Sequence, residues 1–460
     1  MMNGFSDDTI CAIATAQGGA IGLVRVSGDK AIEFADKLFV PIKQNGSLCE
    51  RPSYSLTFGH IVDGGETVDD VLVSVFRAPH SYTGENSVEI SCHASPYILQ
   101  RVMQLLIRAG CRSASPGEFT QRAFLNGKMD LSQAEAVADL IASTSAATHR
   151  LAMNQMRGGF SKELAELRRQ LLDFTSLVEL ELDFSEEDVE FADRARLMQL
   201  ATRIEAVIAR LADSFNVGNA IKQGVPVAIV GETNVGKSTL LNVLLNEEKA
   251  IVSEIHGTTR DVVEDTVNIE GVMFRFIDTA GIRETTDTIE TLGIERTFGK
   301  IAHADIILWM IDSKEAAPQI KRLAPQIISR TKDKQLILIF NKADLLIPPT
   351  MEITEQYPHI FLSAKQRTHI DELKRMLVEA ARLPEVTQND VIVTNVRHYE
   401  ALSRALEAIR RVREGLETGI SGDLLAQDIR ECIFHLSEIV GEVTTDQVLH
   451  HIFEKFCIGK

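Results

Sequence analysis

Residues 225–238 have the sequence VPVAIVGETNVGKS, and this stretch decides the fold of the centre of the chain. An apolar run is followed by the pattern G-x-x-x-x-G-K-S, which is typical of a buried strand, a phosphate-binding loop and a helix that here would begin near Thr239. Such a loop points backbone N–H groups and a helix N-terminus at phosphate oxygens. We therefore expect Lys237 to contact the β- and γ-phosphates and Ser238 to bind Mg²⁺.

Three further motifs follow in the order that a guanine-nucleotide site requires. They are Gly257-Thr258-Thr259-Arg260-Asp261, Asp278-Thr279-Ala280-Gly281 and Asn341-Lys342-Ala343-Asp344. Thr259 is a candidate switch-loop hydroxyl for Mg²⁺, and Asp278 is a carboxylate that could hold the metal through water. Asp344 can accept two N–H groups of guanine, a pair that adenine lacks, so the pattern favours GTP over ATP. Ser363-Ala364-Lys365, after another apolar run, would complete the base pocket.

One position differs from the Ras type of GTPase. Ile282 follows the Asp-Thr-Ala-Gly motif, where Ras-like proteins carry the glutamine that orients the attacking water. An isoleucine cannot hold a water, so another group must do so, and the transition state needs a cation besides Lys237 and Mg²⁺. Candidates for a general base in the next segment are Glu284, Asp287 and Glu290. The alternative, which the residues alone favour for each acid, is a solvated loop residue.

Length and composition exclude several classes of protein. A chain of 460 residues predicts about three domains. No apolar run approaches a membrane span, and the first residues lack a basic segment followed by a hydrophobic one, so we expect a cytoplasmic protein without membrane association. The six cysteines have no paired spacing, which argues against a disulfide framework and a zinc site. A net charge of −17 does not suit general nucleic-acid affinity, so any RNA contact must use local basic patches or a partner's surface.

The hydrophobic pattern divides the chain into a mixed section, two helical sections and a nucleotide section. Residues 1–120 alternate short strand-like runs with turns and predict an α+β domain. Apolar residues at helical spacing fill residues 121–221 and return in 384–460, which ends in a Cys-Ile-Gly-Lys tail; in the first block they include Leu197, Leu200, Ile204, Val207 and Leu211. Residues 222–383 alternate strands and helices. We predict a multidomain fold, in which a Ras-like α/β P-loop GTPase domain is inserted into a helical bundle domain.

Further motifs lie outside the nucleotide section: GAIGLVRVSG at 19–28, YTGE at 82–85, PGEFTQRAFLNGK at 116–128 and FCIGK at 456–460. Together with the GTPase motifs, they resemble those of the MnmE/TrmE family of tRNA-modifying GTPases. Because these motifs span the chain, a shared GTPase domain alone cannot explain them.

The resemblance implies a potassium-stimulated GTPase whose nucleotide domains dimerise, with K⁺ in the place of an arginine finger. The implied K⁺ ligands are Asn234, Ser253, Ile255 and Thr258; the Mg²⁺ ligands are Ser238 and Thr259; and the catalytic general base is Glu290. The whole predicted GTP site comprises Asn234, Val235, Gly236, Lys237, Ser238, Thr239, Ser253, Glu254, Ile255, His256, Gly257, Thr258, Thr259, Asp278, Thr279, Ala280, Gly281, Asn341, Lys342, Asp344, Ser363, Ala364 and Lys365.

The resemblance also implies a tetrahydrofolate derivative, 5-formyl or 5,10-methylene, bound by the amino-terminal domain. The implied ligands are Arg25, Glu89, Lys128 and Lys460, although from the residues alone Arg25 and Lys128 would be surface cations. With an FAD-binding partner, MnmG/GidA, in a heterotetramer or larger complex, the family adds an aminomethyl or carboxymethylaminomethyl group to carbon 5 of the wobble uridine of certain tRNAs. The alternative function is a regulatory potassium-type GTPase switch in ribosome assembly.

Overall fold

The structure, a computed structural model, describes residues 8–16, 18–42, 46–183, 194–248, 265–277, 301–345, 352–384, 387, 390–454, 456 and 459. The chain forms two compact units. The first comprises Met1–Ile141, Gln155–Ala201 and Glu407–Lys460, and the second comprises Ala142–Asn154 and Thr202–Leu406. Among these ranges, no helix has both the length and the apolar character needed to span a bilayer.

The elements are numbered in chain order. The strands are β1 (Ile10–Ile13), β2 (Ile21–Ser27), β3 (Phe39–Pro41), β4 (Ser55–Asp63), β5 (Glu66–Phe76), β6 (Ser87–His93), β7 (Arg112–Ser113), β8 (Val225–Val230), β9 (Asp265–Ile269), β10 (Val272–Phe276), β11 (Ile306–Asp312), β12 (Gln335–Asn341) and β13 (His359–Phe361). The helices are α1 (Ala31–Asp36), α2 (Pro96–Ala109), α3 (Glu118–Leu125), α4 (Leu131–Ala142), α5 (Ala146–Met156), α6 (Gly159–Asp183), α7 (Arg194–Gln223), α8 (Lys237–Glu248), α9 (Ala316–Ile328), α10 (Glu352–Gln356), α11 (Ile370–Ala381), α12 (Val396–Thr418), α13 (Gly422–Val440) and α14 (Asp446–Phe453).

The first unit contains a sheet with the strand order β3-β4-β5-β6-β2-β1-β7, in which β1 and β7 form the parallel pair. Alternate residues of β2, β5 and β6 are buried, as expected for a sheet with one face on a core. Helices α1 and α2 supply the apolar side chains opposite that face, including Ile32, Leu99 and Leu106. The strand-like runs of the sequence therefore form the predicted α+β section.

The long helices α6, α7 and α13 bury most of the apolar positions that the sequence spacing selects. In α6 these are Leu164, Leu167, Leu171, Phe174 and Val178, and in α13 they include Leu425, Ile429, Leu436 and Ile439. In α7 the spacing places Val207 in the core, but Ile208 is fully buried and Val207 is half-buried. The spacing therefore predicts the buried side of α7, but at this turn the fully buried residue is one position further along the chain.

The second unit contains a sheet with the strand order β13-β12-β11-β8-β10-β9. Strands β13, β12, β11, β8 and β10 pair in parallel, and β9 is an antiparallel edge strand. Residues of both faces are buried, with Ile229 and Met310 in one core and Val230 and Trp309 in the other. Helices cover both faces, which is the arrangement expected for parallel strands. The carboxyl ends of β8, β11 and β12 meet at one edge, where α/β proteins bind their ligands.

Candidate nucleotide site

The phosphate loop begins where β8 ends, and two of its glycines allow it to lie very close to the neighbouring strands. Gly231 has φ +146°, and a Cβ there would lie 2.4 Å from the Met310 carbonyl oxygen of β11. Gly236 has φ +101°, and its Cβ would lie 2.3 Å from Nδ2 of Asn341. Both positions combine a left-handed backbone with a contact too close for any side chain. The loop conformation therefore requires the two glycines of the motif.

Lys237 and Ser238 start helix α8, so the structure places the helix start two residues before the position, near Thr239, that the sequence indicated. The Lys237 ammonium donates hydrogen bonds to the carbonyl oxygens of Gly231, at 2.9 Å, and of Glu232, at 2.6 Å. Val235 is buried and anchors the loop in the core. Lys237 and Ser238 thus belong to the first turn of α8, whose unpaired N–H groups can bind phosphate oxygens.

Asn341 connects the phosphate loop to the predicted base loop. Its side-chain amide donates to the Val235 carbonyl at 2.7 Å, and its Oδ1 accepts from the backbone N–H of Ala364 at 3.0 Å. Asn341 is 3% exposed, so both bonds are shielded from water. Ser363 closes the same loop, because its Oγ accepts from the N–H of Gln366 at 3.2 Å. Two sequence motifs separated by more than a hundred residues are thereby joined at one point.

Lys342 and Asp344 follow Asn341 and each contact a residue that the sequence analysis missed. Lys342 has φ +65°, and its ammonium contacts Oδ2 of Asp312, at the end of β11, at 2.6 Å. Asp344 is exposed, and its Oδ2 accepts from Nε2 of Gln366 at 3.1 Å. The apolar run before Asp312 marked the end of a strand, and this was the available signal for a polar residue at the nucleotide edge.

Asp312 is held as a carboxylate. Burial raises its pKa, but hydrogen bonds from the Lys342 ammonium and the Lys314 backbone N–H, with the charge of Lys342, bring the net pKa below its ordinary value. A second ion pair joins Glu232 of the phosphate loop to Arg322 of α9, and this arginine was also absent from the predicted site. The loop is therefore supported from β11, β12 and α9.

The structure brings together the phosphate-loop and base-loop members of the predicted site. Asn234 lies in the loop with φ +59°, and Thr239 and Lys365 are exposed beside the residues above. The predicted residues Ser253, Glu254, Ile255, His256, Gly257, Thr258, Thr259, Asp278, Thr279, Ala280, Gly281 and Glu290 lie outside the described residues. The glycine cradle, the Lys237 ammonium and the Ser238 hydroxyl fit a metal-bound phosphate chain.

A second cluster lies in the first unit, around Arg25. Arg25 and Glu89 are register partners on β2 and β6, and the Arg25 Nε and Nη2 atoms each lie 2.9 Å from Glu89 Oε1. The Arg25 guanidinium also lies over two rings, 5.6 Å from the Tyr82 centroid and 5.7 Å from that of Phe119. Its Nη1 donates to the carbonyl oxygen of Gly459 at 3.4 Å. The C-terminal tail therefore reaches the residues predicted to bind folate.

Lys128 lies beside the segment that carries Tyr82. Its ammonium donates to the Pro79 carbonyl at 2.9 Å, and a Cβ on Gly84 would lie 3.3 Å from Lys128 Cγ. Lys460 lies outside the described residues. The structure thus brings Arg25 and Glu89 into contact and places Lys128 on the neighbouring loop.

A buried ionic network, whose ion pairs no sequence pattern predicted, supports this cluster. Arg122, 5% exposed, is hydrogen-bonded to Asp8 at 2.9 Å, to Glu118 at 3.0 Å and to Glu85 at 3.2 Å. Glu118 also accepts from Arg112 at 2.6 Å. Burial raises the pKa of Glu118, but hydrogen bonds from Arg112, the Ser115 N–H and Arg122 lower it overall. The network fixes helix α3, which carries Phe119, against the loop that carries Tyr82.

Comparison with known proteins covers nearly the whole chain. The family model described as GTP-binding protein TrmE N-terminus matches residues 9–128, and the model of the MnmE helical domain matches residues 131–457. The tRNA modification GTPase MnmE of Bacteroides thetaiotaomicron is 68% identical over 464 residues, which cover 99% of this chain and 100% of that protein. The protein of the same name from Phocaeicola vulgatus is 60% identical, with both chains fully covered.

The similarity extends to more distant bacteria. The tRNA modification GTPase MnmE of Christiangramia forsetii is 54% identical over 472 residues, which cover 99% of each chain. The matched models and relatives include the amino-terminal and helical sections as well as the nucleotide site, so the predicted resemblance is confirmed. The chain belongs to the MnmE family of tRNA modification GTPases.

Proposed function

We propose that this GTP hydrolase binds GTP at the edge where β8 and β12 end, and that cleavage of GTP drives modification of the wobble uridine of certain tRNAs. The observation that carries the nucleotide site is Asn341, which hydrogen-bonds the phosphate loop at Val235 and the base loop at Ala364. Ser238, with Thr259 from outside the described residues, would hold Mg²⁺, which neutralises phosphate charge. In this proposal the protein works in the cytoplasm.

In this proposal the Asp344 carboxylate recognises guanine. Asp344→Asn should weaken GTP binding and favour xanthosine triphosphate, because the amide presents a donor where guanine needs two acceptors. Competition of the two nucleotides for the variant measures the shift. Unchanged GTP affinity would remove Asp344 from the base pocket.

The catalytic part of the proposal assigns K⁺ to Asn234, Ser253, Ile255 and Thr258, and the general base to Glu290. Asn234 supports it, because its exposed side chain stands on the phosphate loop. The isoleucine at 282 supports it as well, since the Ras glutamine is missing from the sequence. Glu290→Ala should slow GTP hydrolysis and leave GTP affinity near the wild-type value. A large loss of affinity would indicate a structural residue.

The folate part of the proposal assigns a 5-formyl or 5,10-methylene tetrahydrofolate to Arg25, Glu89, Lys128 and Lys460. Arg25 uses Oε1 of Glu89, and Oε2 of Glu89 has no hydrogen-bond partner among the described residues, so it can accept N–H groups of a pterin ring. The Lys128 ammonium suits a glutamate carboxylate of the folate. The ring of Tyr82, 37% exposed, adds flat apolar surface at the same place, and the buried Phe119 ring lies against the Arg25 guanidinium.

We assign residues 1–120 to this folate domain, 121–221 and 384–460 to the helical domain, and 222–383 to the GTPase domain. An FAD-binding partner, MnmG/GidA, would supply the flavin in a heterotetramer or larger complex, and together the proteins would add the aminomethyl or carboxymethylaminomethyl group to carbon 5 of the uridine.

Two measurements test this part. Calorimetry of the full chain with 5-formyltetrahydrofolate should show binding that Lys128→Met weakens, with Lys162→Met on the exposed face of α6 as the control. Mass spectrometry of wobble uridine in cells without the chain should show the modification lost. Absence of folate binding with normal uridine modification would favour the ribosome-assembly switch instead.

We also propose a homodimer with a contact through the first unit, in addition to the nucleotide-domain contact that the resemblance implies, and an apolar sheet face supports this contact. On β3, β4 and the residues beside them, one face of the sheet exposes large apolar side chains. These are Val40, Ile42, Tyr54, Leu56, Phe58 and Leu72, each between 41% and 71% exposed. Phe58 and Leu72 are cross-strand partners, so the side chains form one contiguous patch. A patch of this kind is uncommon on a monomer, and a second copy of the chain would cover it.

A further inference from the structure

The contact between Asp312 and Lys342 links a strand end to the predicted base motif. Strands β11 and β12 are parallel, and their register pairs Asp312 with Asn341, so that Lys342 lies one residue beyond the pair. The Lys342 ammonium and Asp312 Oδ2 are 2.6 Å apart, and the side chains are 35% and 16% exposed. A charge-assisted hydrogen bond of this length at a partly shielded site is among the stronger polar contacts in proteins.

Asp312 is itself fixed on both sides. Its Oδ1 accepts from the Lys314 backbone N–H at 3.0 Å, and its own N–H donates to Oε1 of Gln319 at 3.0 Å. Gln319 is 4% exposed and belongs to α9. The carboxylate therefore has a defined position before any contact with Lys342, as a preorganised anchor requires.

Lys342 needs such an anchor because its backbone is unusual. With φ +65° it lies in the left-handed region, which is unfavourable for a residue other than glycine. Its neighbours Asn341 and Asp344 are the two residues proposed to hold the phosphate loop and the guanine base. A change in the Lys342 conformation would therefore move the base-recognition residues relative to the loop at Val235.

We propose that Asp312 is a positioning residue for nucleotide binding: its carboxylate holds the Lys342 ammonium and so fixes the turn between Asn341 and Asp344. This inference rests on the proposed nucleotide pocket. Asp312 acts through Lys342 and has no assigned role in the chemical step. Its loss should therefore weaken GTP and GDP to a similar degree and leave the turnover number at saturating GTP unchanged.

The test measures the Kd of a fluorescent GDP, the Kd of a non-hydrolysable GTP analogue, and KM and kcat for GTP, on the full chain. Asp312→Asn keeps the acceptor for the Lys314 N–H and removes the charge. It should raise both Kd values and KM by roughly threefold to tenfold, the effect of one partly exposed charge-assisted bond. The control is Asp305→Asn, the same change at the exposed residue before the other end of β11, which should leave all four values unchanged.

A double-mutant cycle separates positioning from a general effect on the fold. In the Lys342→Met background, Asp312→Asn should have no further effect on either Kd. An equal loss of affinity in both backgrounds, or unchanged affinity in the single variant, would overturn the inference. If Asp312→Asn does not fold, Asp312→Glu keeps the charge and displaces it by one methylene; a twofold to threefold weakening supports the inference, and wild-type affinity overturns it.

The Asp344→Asn variant shows which hypothesis fails. If it loses GTP affinity while Asp312→Asn does not, the pocket stands and the role of Asp312 is wrong. If neither variant loses affinity, the pocket itself is wrong.

Discussion

Asn341 and Val235 are joined by a hydrogen bond of 2.7 Å from a buried side-chain amide to a loop carbonyl, so strand β12 directly supports the phosphate loop. Asn341→Asp replaces the donor with a carboxylate oxygen that faces the carbonyl. We expect GDP and GTP affinity to fall at least tenfold, since a buried hydrogen bond becomes a repulsion worth more than about 1.4 kcal/mol. Titration with fluorescent GDP measures the loss. Asn216→Asp on the exposed surface of α7 is the control, and equal affinity in both variants would contradict the assignment.

Gly236→Ala tests the close approach of the phosphate loop to Asn341. The added Cβ would lie 2.3 Å from Asn341 Nδ2, so the loop must shift and nucleotide affinity should fall more than tenfold. The matched control is Gly271→Ala in the turn between β9 and β10, which has φ +87° and nothing within 4 Å of the new Cβ. The control shares the backbone strain without the clash, so it should lower the unfolding midpoint slightly and leave Kd unchanged. Similar Kd values for the two variants would mean that strain, and not the contact, matters.

Replacement of K⁺ by Na⁺ tests the proposed cation. An ion in the place of an arginine finger supplies charge to the transition state, so GTP turnover should fall by about an order of magnitude or more in Na⁺ at equal ionic strength. Phosphate release in the two salts gives the ratio. Asn234→Ala should lower the rate in K⁺ toward the rate in Na⁺. Equal rates of the wild-type chain in both salts would refute the role of K⁺.

The network around Arg122 should make the stability of the first unit decrease as the pH falls into the acid range. Glu118 has a lowered pKa when folded, so its contribution is present above its ordinary pKa of 4.5 and is lost as the pH falls through the folded value. Glu118→Gln should destabilise the first unit by about 3 kcal/mol at pH 7, because Arg122 stays buried with less compensation.

The difference between the Glu118→Gln variant and the wild type should shrink below pH 4.5, as followed by thermal unfolding midpoints. Glu166→Gln is the control: this carboxylate, exposed beside Arg169, has a pKa lowered to about 2, and its removal should have little effect. A pH-independent difference for Glu118→Gln would show that the charge is not what matters.

The apolar face of the first sheet predicts the effect of one charge on assembly. Leu56 is 62% exposed and lies between Tyr54 and Phe58 on that face, and Leu56→Asp should weaken a dimer by at least tenfold in sedimentation velocity, since a buried unpaired carboxylate is unfavourable by more than about 1.4 kcal/mol. Tyr97→Asp, 71% exposed on α2, introduces the same charge elsewhere and should leave assembly unchanged. A monomeric wild type, or equal dimers in both variants, would place the interface elsewhere.

Much of the fold follows from local pattern. The apolar run 225–230 and the glycine loop predicted a strand, a turn and a helix, because each signal lies within a few residues of the structure that it encodes. The order of the GTPase motifs predicted one guanine-nucleotide site. In the described part of the chain the parallel strands β8 and β12 end at one edge, and Asn341 contacts Val235 there.

The contacts that the sequence did not reveal are those between distant segments. Asp312 and Lys342 meet because two strands pair in one register, and Arg122 meets Asp8 across more than a hundred residues of chain. No spacing rule encodes such pairs, because they depend on how completed elements pack. The spacing predicted that Val207 is buried, whereas Ile208 is the fully buried residue. This difference has the same origin, because the elements that pack against a helix decide which of its apolar residues are covered.

The register of β11 and β12 limits how the length of this protein can change. Each residue from Ile306 to Asp312 has a fixed partner from Gln335 to Asn341. Deleting a single residue from β12 would move the side chains beyond the deletion from one buried face of the sheet to the other and pull Asn341 away from the loop that it supports. Surface turns, such as the one at Gly271, should therefore tolerate an inserted or deleted residue. Within β11 and β12 the same change should abolish nucleotide binding.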